Sequence, residues 1–261
     1  MRDFSPEFFN ALCSFEDAVA RQTNKDVAKD ELVRLLLRHS LLPTVGVQIA
    51  HRHFPLRSLE VVIRVNTPLC SFLYPTSEVK KDKNPCAWAY DPAIGGLRVV
   101  EYFCGKFNKP IDFSAAFLDD YLDLINSIPQ VADFALLDSR TALNFGADLR
   151  YELTHEQLRL SMTSPWLDQS HRQFPFSISS WFFDFHEDRV IQRSQTACNF
   201  CPHCMVDNPD VFSIASKAVE EKSLFSLPIS TKFLPYGANQ VTNELLFSID
   251  YEITKCLDKP H

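Results

Sequence analysis

The sequence predicts one α+β domain, built as a mainly antiparallel sheet with helices packed on one face. Residues 5–39 have the apolar spacing of helices, whereas apolar residues alternate with a period of two from residue 45 onward. Several alternating segments are also joined by short turns, which is typical of antiparallel hairpins. Since 46% of the 261 residues are hydrophobic, we expect a single domain over residues 1–261.

The first two predicted elements are helices. Ser5, Pro6 and Glu7 form a cap, a first-turn proline and a first-turn acid, and four apolar residues follow at helical spacing: Phe8, Leu12, Phe15 and Val19. A second helix is predicted over residues 30–39 and ends before Pro43. Both helices are expected to pack an apolar stripe on the sheet.

The next two elements are predicted to form a hairpin. Alternation places five residues on one face of the first strand: Val45, Val47, Ile49, His51 and His53. The return strand covers residues 60–65, and matching the apolar faces gives the pairs Ile49 with Val65, His51 with Ile63, and His53 with Val61. Glu60 then lies on the opposite face, away from the two histidines.

Short strands are predicted at residues 70–74 and 97–103, with a polar loop at 75–92 between them. Asp112 is expected to cap a helix that ends at Pro129, and a further helix is predicted over residues 131–144.

The last part of the chain is predicted to contain two hairpins and two helices. The hairpins are 149–153 with 157–162, and 174–185 with a return strand through 197. The helices are 208–222 and 239–256.

Composition excludes several classes of protein. A net charge of −7 argues against a general nucleic-acid surface, and no apolar run reaches the roughly 18 residues of a membrane span. The start of the chain has no apolar signal core. Five of the eight cysteines are scattered singly, so we expect core thiols and a cytoplasmic location rather than a disulfide framework.

A cluster of cysteines is the strongest candidate for a site. Cys198, Cys201 and Cys204 follow one another at two-residue spacings, with His203 among them. Zinc takes about four nitrogen or sulfur ligands, so we predict that these three thiols bind zinc, with His203 or a distant residue as the fourth ligand. An inert cluster of reduced thiols is the alternative.

The same stretch also supports a redox hypothesis. Cys201-Pro202-His203-Cys204 resembles the active site of DsbA-type thiol oxidases. The resemblance implies a dithiol in which Cys201 and Cys204 exchange disulfides and His203 stabilises the thiolate. Cys198 is foreign to that family, and Pro209 interrupts the helix expected to follow the motif.

The two histidines of the first strand are the candidate catalytic residues. His51 and His53 end an apolar face, and imidazole serves as an acid, a base or a metal ligand near neutral pH. We therefore expect an enzyme that acts on a small molecule. Two alternatives stay open: each histidine is a satisfied residue at the edge of the core, or the protein is a zinc-stapled binding module without catalysis.

The stretch His51-Arg52-His53-Phe54-Pro55-Leu56, together with Glu60-Val61-Val62 and an aromatic-rich segment at 88–103, resembles a family of single-domain hypothetical proteins from filamentous fungi. The resemblance covers about the middle third of the chain. It implies a stand-alone protein and carries no catalytic assignment.

Overall fold

The computed structural model describes residues 1–21, 25–42, 44–66, 71–77, 83–105, 110–141, 149–155, 159–164, 177–186 and 189–200. Strands dominate this part of the chain. They are β1 Val45–Ile49, β2 Val61–Asn66, β3 Ser71–Thr76, β4 Lys83–Asp91, β5 Gly96–Cys104, β6 Phe134–Asp138, β7 Leu149–His155, β8 Leu160–Ser164, β9 Ser177–His186 and β10 Arg189–Phe200.

These ten described strands form a closed barrel in the order β1-β6-β4-β5-β2-β3-β8-β7-β10-β9. The barrel closes where β1 pairs with β9, with Val47 opposite Trp181 and Gln48 opposite Ser180. Two neighbouring pairs are parallel, β2 with β5 and β7 with β10, and the other pairs are antiparallel. Closure leaves no strand edge along the ladder unpaired.

Four α-helices lie in the described residues: α1 Pro6–Ala11, α2 Phe15–Arg21, α3 Lys25–Arg38 and α4 Ala115–Ser127. Ser5 caps α1 as predicted, because its hydroxyl accepts from the Phe8 N–H at 3.2 Å. The cap of α4 is Ser114 rather than the predicted Asp112. None of the described helices is both long and apolar enough to cross a membrane.

Apolar side chains form two clusters, one on each side of the barrel wall. The outer cluster joins α3 and α4 to the outward residues of the strands, for example Leu36, Phe117 and Val47. The inner cluster contains Leu137 and Phe182, which also line an internal cavity. Because side chains of a strand alternate between faces, each strand contributes to both sides of the wall.

The prediction of an α+β fold with helices on one face of an open sheet is wrong. The hairpin predicted from the first two strands is also wrong, since β1 pairs with β6 and β9 whereas β2 pairs with β3 and β5. Alternation predicts which residues share a face, but it does not reveal which strand lies alongside. The chain between β1 and β2 instead crosses the end of the barrel.

Other elements match the sequence to different degrees. The hairpins β7 with β8 and β9 with β10 are confirmed. The polar loop predicted at 75–92 contains the long strand β4, and the helix predicted at 131–144 contains β6 between two 3-10 turns, Pro129–Asp133 and Ser139–Thr141. The helices predicted at 208–222 and 239–256 lie outside the described residues.

The cysteines of the described residues differ from the prediction at one position. Cys13, Cys86 and Cys198 are free thiols, but Cys104 is disulfide-bonded. The expectation that Cys104 is a single core thiol is therefore wrong.

Gly46 lies in β1 where the barrel closes, and substituting it tests how closely β1 and β9 pack. A Cβ at Gly46 would lie 2.7 Å from Phe182 Cδ1 and 2.9 Å from the Trp181 carbonyl oxygen. We expect Gly46→Ala to lower the free energy of unfolding by about 1 to 3 kcal/mol, because the inner wall has no room for the methyl group. Urea unfolding measures the change.

Gly96→Ala is the matched control, since the atom nearest to its added Cβ, apart from those of the adjoining residues, is 4.0 Å away. Equal stability of the two variants would contradict the close approach of β1 to β9.

Candidate metal centre

Four buried side chains from distant parts of the chain meet at one end of the barrel. The ligand atoms of His51, His53, Glu152 and Cys198 all lie within 4.8 Å of one another. Their residues are 1% to 6% exposed. Two imidazoles, a carboxylate and a thiol are all groups that bind transition metals.

The fold brings these residues together through three segments. His51 and His53 follow the last residue of β1, Glu152 lies in β7, and Cys198 lies in β10. The parallel ladder between β7 and β10 places Cys198 directly beside Glu152. The cysteine is therefore part of an extended strand, and its neighbours in space are far from it in the sequence.

The segment that carries the histidines is fixed by backbone hydrogen bonds. Ala50 N–H donates to the Asp133 carbonyl at 2.8 Å, and Arg52 N–H donates to the Cys13 carbonyl at 2.9 Å. Further along, the side chain of Asn10 bonds both the N–H and the carbonyl of Leu56, at 2.7 and 2.9 Å. The two imidazoles are thus held by a rigid backbone.

Hydrogen bonding fixes which nitrogen of His51 carries its proton. Its Nδ1 lies 2.8 Å from the carbonyl oxygen of Ile49, which can only accept, so Nδ1 is the protonated nitrogen. The lone pair is then on Nε2, which lies 4.0 Å from the Cys198 sulfur. The neutral ring presents an electron pair to the centre of the cluster.

A chain of hydroxyl groups fixes His53 in the same way. Glu152 Oε1 accepts from Ser161 Oγ at 3.1 Å, and Ser161 Oγ accepts from Thr154 Oγ1 at 3.0 Å. Thr154 Oγ1 has then used its proton and accepts from His53 Nδ1 at 3.1 Å. Nδ1 of His53 therefore carries a proton, and Nε2 faces Glu152 Oε1 at 3.8 Å.

Burial determines the protonation states in the absence of a metal ion. Burial, and then the charge of His53, lowers the pKa of His51 to about 3, so that the ring stays neutral near pH 7. Burial, and then the charge of Glu152, raises the pKa of the Cys198 thiol well above its ordinary value. Burial opposes ionisation of Glu152, but the charges of His53 and Arg64 bring its pKa below its ordinary value.

The four ligand atoms converge on one point without a short direct contact between them. His53 Nε2 lies 3.8 Å from Glu152 Oε1, and His51 Nε2 lies 4.0 Å from the Cys198 sulfur. A cation between the four atoms would contact two ring nitrogens, a carboxylate and a sulfur. In a tetrahedral zinc site the ligand atoms lie about 3.3 to 3.7 Å apart, so a cluster whose ligand atoms lie within 4.8 Å of one another needs a contraction of up to about 1 Å.

Glu152 connects the cluster to a small internal cavity. The cavity has a volume of about 20 Å³, room for about one water molecule, and the guanidinium groups of Arg64 and Arg150 line it. Burial, and then the charges of Arg193 and Arg64, lowers the pKa of Arg150 to about 10. A metal ion at the cluster would therefore lie next to a polar cavity inside the barrel.

The structure unites two sites that the sequence treats as separate. His51 and His53, the predicted catalytic pair, lie beside Cys198, a predicted zinc ligand. Cys201, His203 and Cys204 lie outside the described residues. Glu60, the carboxylate nearest in sequence to the histidines, forms an ion pair with Arg159 instead.

Sequence reasoning missed Glu152. The signal was the alternation of Arg150, Glu152 and Thr154 with less polar residues along β7, which predicts one polar face. A polar face normally points to solvent, but this one is buried.

The lowered pKa of His51 generates a prediction for the metal-free protein. An unfolded chain binds a proton at this histidine below its ordinary pKa of 6.5, whereas the folded protein does so near pH 3. Stability is thus lost as the pH falls from about 6.5 toward 3, with a slope of at most about 1.4 kcal/mol per pH unit. His51→Gln should have the flatter curve of unfolding free energy against pH, measured with chelator present.

Phe15→Leu is the control for lost packing, because it removes the ring 4.9 Å from His51 and leaves the imidazole in place. The unfolding free energy of Phe15→Leu should change with pH in parallel to that of the unaltered protein. If the unfolding free energy of His51→Gln also changes with pH in parallel to that of the unaltered protein, His51 is not held neutral in the fold.

No family model, curated protein or solved structure matches this chain.

Proposed function

We propose that the protein binds a divalent metal ion, zinc by preference, at His51, His53, Cys198 and Glu152. The observation that carries the proposal is the convergence of two imidazole nitrogens, a carboxylate oxygen and a thiol sulfur within 4.8 Å of one another in a buried space. A metal ion at this point would replace the thiol proton and bind the carboxylate and both rings.

Zinc suits this set of ligands better than a hard cation. Calcium and magnesium take oxygen ligands, whereas the cluster offers two nitrogens, one sulfur and one carboxylate. Zinc accepts all three atom types in a tetrahedron. Hydrogen bonds from the far side of each ring, to Ile49 and to Thr154, are the outer contacts that orient metal-binding histidines.

We further propose that the centre serves an enzyme acting on a small polar molecule. His51, His53 and Cys198 supply the three protein ligands typical of catalytic zinc sites, while Glu152 also faces the cavity. Zinc supplies Lewis acidity to a bound oxygen group. Glu152, held by Ser161 and Thr163, is placed to accept a proton as general base.

A closed structural site is the competing function, and one observation favours it. All four ligand atoms come from the protein and are buried, which is typical of a zinc staple. Such a staple would tie the end of β1 to β7 and β10. The role of Glu152, as a fourth ligand or as a base, distinguishes the two functions.

The thiol-disulfide hypothesis rests on Cys201 and Cys204, and it stays a prediction. Cys198 does not support it, because a buried thiol with a raised pKa is the opposite of an activated nucleophile. A cytoplasmic location also stays a prediction, and the disulfide at Cys104 argues for a more oxidising compartment.

The first test is metal content. Protein purified without chelator and dialysed against buffer with trace zinc should hold about one zinc per chain by elemental analysis. His51→Gln, His53→Gln and Cys198→Ser should each weaken zinc binding by more than about tenfold and lower the melting temperature. Competition with a chromophoric chelator measures the affinity.

His186→Gln and Cys13→Ser are the matched controls, because one removes an exposed imidazole and the other a thiol outside the cluster. Both should bind zinc like the unaltered protein. A chain that takes up no zinc, cobalt or iron under these conditions overturns the proposal.

The second test separates enzyme from staple with Glu152→Gln in cobalt-substituted protein. If the centre is catalytic, the variant keeps three protein ligands. Its thiolate-to-cobalt charge-transfer band and visible spectrum should then persist, and its affinity for cobalt should fall by less than about tenfold. If the centre is a structural zinc site, the variant should lose the metal as His53→Gln does. Loss of metal would therefore rule out the catalytic role and leave the structural one.

A further inference from the structure

The candidate metal centre is enclosed by protein. Its four ligand residues are 1% to 6% exposed, and the cavity beside Glu152 has a volume of about 20 Å³, enough for about one water molecule. A hydrated metal ion does not fit into that space. The segment at 50–60, which we call the strap, carries His51 and His53 across this end of the barrel and belongs to no strand or helix. A metal ion from solvent therefore needs a movement of the cover, and the strap is its least regular part in the described chain.

One side of the strap is held by the end of α1. Asn10 bonds Leu56 through both atoms of its side-chain amide, at 2.7 and 2.9 Å, and its backbone carbonyl accepts from the Arg52 guanidinium. Phe54 and Leu56 also pack in the inner apolar cluster. These contacts hold the strap on both sides of His53, so that its residues are expected to move together.

The other side of the strap is held by an ion pair with Arg159, which directly precedes β8. Arg159 donates to both carboxylate oxygens of Glu60, with 3.0 Å between Nη1 and Oε1, and its Nε donates to the Pro55 carbonyl at 3.1 Å. Glu60 also accepts from the Arg57 N–H at 2.6 Å. One guanidinium therefore joins both ends of the segment at 55–60 to the barrel.

The backbone on both sides of this ion pair is strained. Leu59, with a φ of 69°, and Arg159, with a φ of 55°, have the left-handed conformation that residues other than glycine rarely adopt. Ser40 is the one other non-glycine residue with a positive φ in the described chain. Strain of this kind persists only where the surrounding contacts hold it. The ion pair therefore keeps the strap in a conformation that relaxes when the pair separates.

From these observations we infer that the ion pair between Glu60 and Arg159 is a latch, and that the strap opens as a unit to give a metal ion access to the centre. Opening separates the two histidines from the two ligands that stay in the barrel wall, on β7 and β10. This inference rests on the proposed function, because it states how the metal centre is reached. It assigns to the latch the rate of metal exchange rather than the affinity for the metal.

The first test measures opening in the metal-free protein, by alkylation of the cysteines and mass spectrometry of each site. Cys198 and Cys86 are both buried free thiols, but Cys198 lies 4.0 Å from His51 of the strap, whereas Cys86 lies in β4. If the strap opens by itself, Cys198 should react at least about tenfold faster than Cys86. Its rate should also depend less on urea, because opening of the strap exposes less surface than unfolding of the barrel.

The variants identify the latch. Glu60→Gln and Arg159→Met should each raise the alkylation rate of Cys198 about three- to tenfold, because each removes the charge pair that opening breaks. Arg98→Met is the matched control, since it removes a similarly buried ion pair with Asp91, between β4 and β5. Opening of the strap leaves that pair intact, so Arg98→Met should not change the rate of Cys198.

The second test measures zinc exchange in the full chain with the same three variants. Stopped-flow mixing with zinc gives the rate of uptake, and mixing the zinc-loaded chain with excess chelator gives the rate of release. Glu60→Gln and Arg159→Met should speed both by about three- to tenfold, because the ion passes the strap in both directions. The affinity for zinc, which is the ratio of the two rates, should then change by less than about twofold. Arg98→Met should exchange zinc like the unaltered protein.

The two tests together separate the latch from the metal centre. Zinc binding with no effect of the latch variants on Cys198, or faster release with unchanged uptake, overturns the latch and leaves the metal centre. Reaction of Cys198 only at the rate of Cys86 also overturns the latch, because the centre then opens only when the barrel unfolds. Alkylation of Cys198 that depends on the latch, in a chain that takes up no metal, supports opening of the strap and overturns the metal centre.

Discussion

The closure of the barrel between β1 and β9 is the constraint on which the site and the cavity depend. This short ladder places Gln48 opposite Ser180 at the cavity wall, and Gly46 allows Phe182 to approach the backbone closely. The same closure directs the chain after Ile49 across the end of the barrel toward β7 and β10. Without the pairing of β1 with β9, the fold would not bring the histidines next to Cys198.

A second consequence of closure is an interior that contains charge. Strands alternate their faces, so a sheet with helices and apolar residues outside must place its other residues within. Here these include the inner apolar cluster together with Arg64, Arg150 and Glu152. Buried charges are tolerated when they are paired and hydrogen-bonded, as Arg64 is with Glu101. The interior therefore combines apolar packing with buried ion pairs.

Local patterns in the sequence predicted local structure well. The hairpins β7 with β8 and β9 with β10 were predictable, because each joins neighbouring segments through a short turn. The α+β class was not correct, since barrel closure depends on contacts between strands more than 130 residues apart, which leave no periodic signal. β4 was missed because its ends are polar and include Pro85.

The site was predictable in parts but not as a whole. His51, His53 and Cys198 were each identified from their local surroundings, as the end of an apolar face and as part of a cysteine cluster. Their convergence with Glu152 depends on topology, since 147 positions separate Cys198 from His51. Glu152 was missed because a polar face inside a barrel has the same sequence pattern as one that faces solvent.

The position of β1 in the barrel also bears on synthesis of the chain. Its first partner, β6, begins about 85 residues after Ile49, and its second partner, β9, lies further on. At a translation rate of roughly 5 to 20 residues per second, roughly 4 to 17 seconds pass between the synthesis of β1 and that of β6, its first pairing partner. During that time its edge groups are open to pairing with other nascent chains, and the helices next to it, α1 to α3, are the native contacts already synthesised.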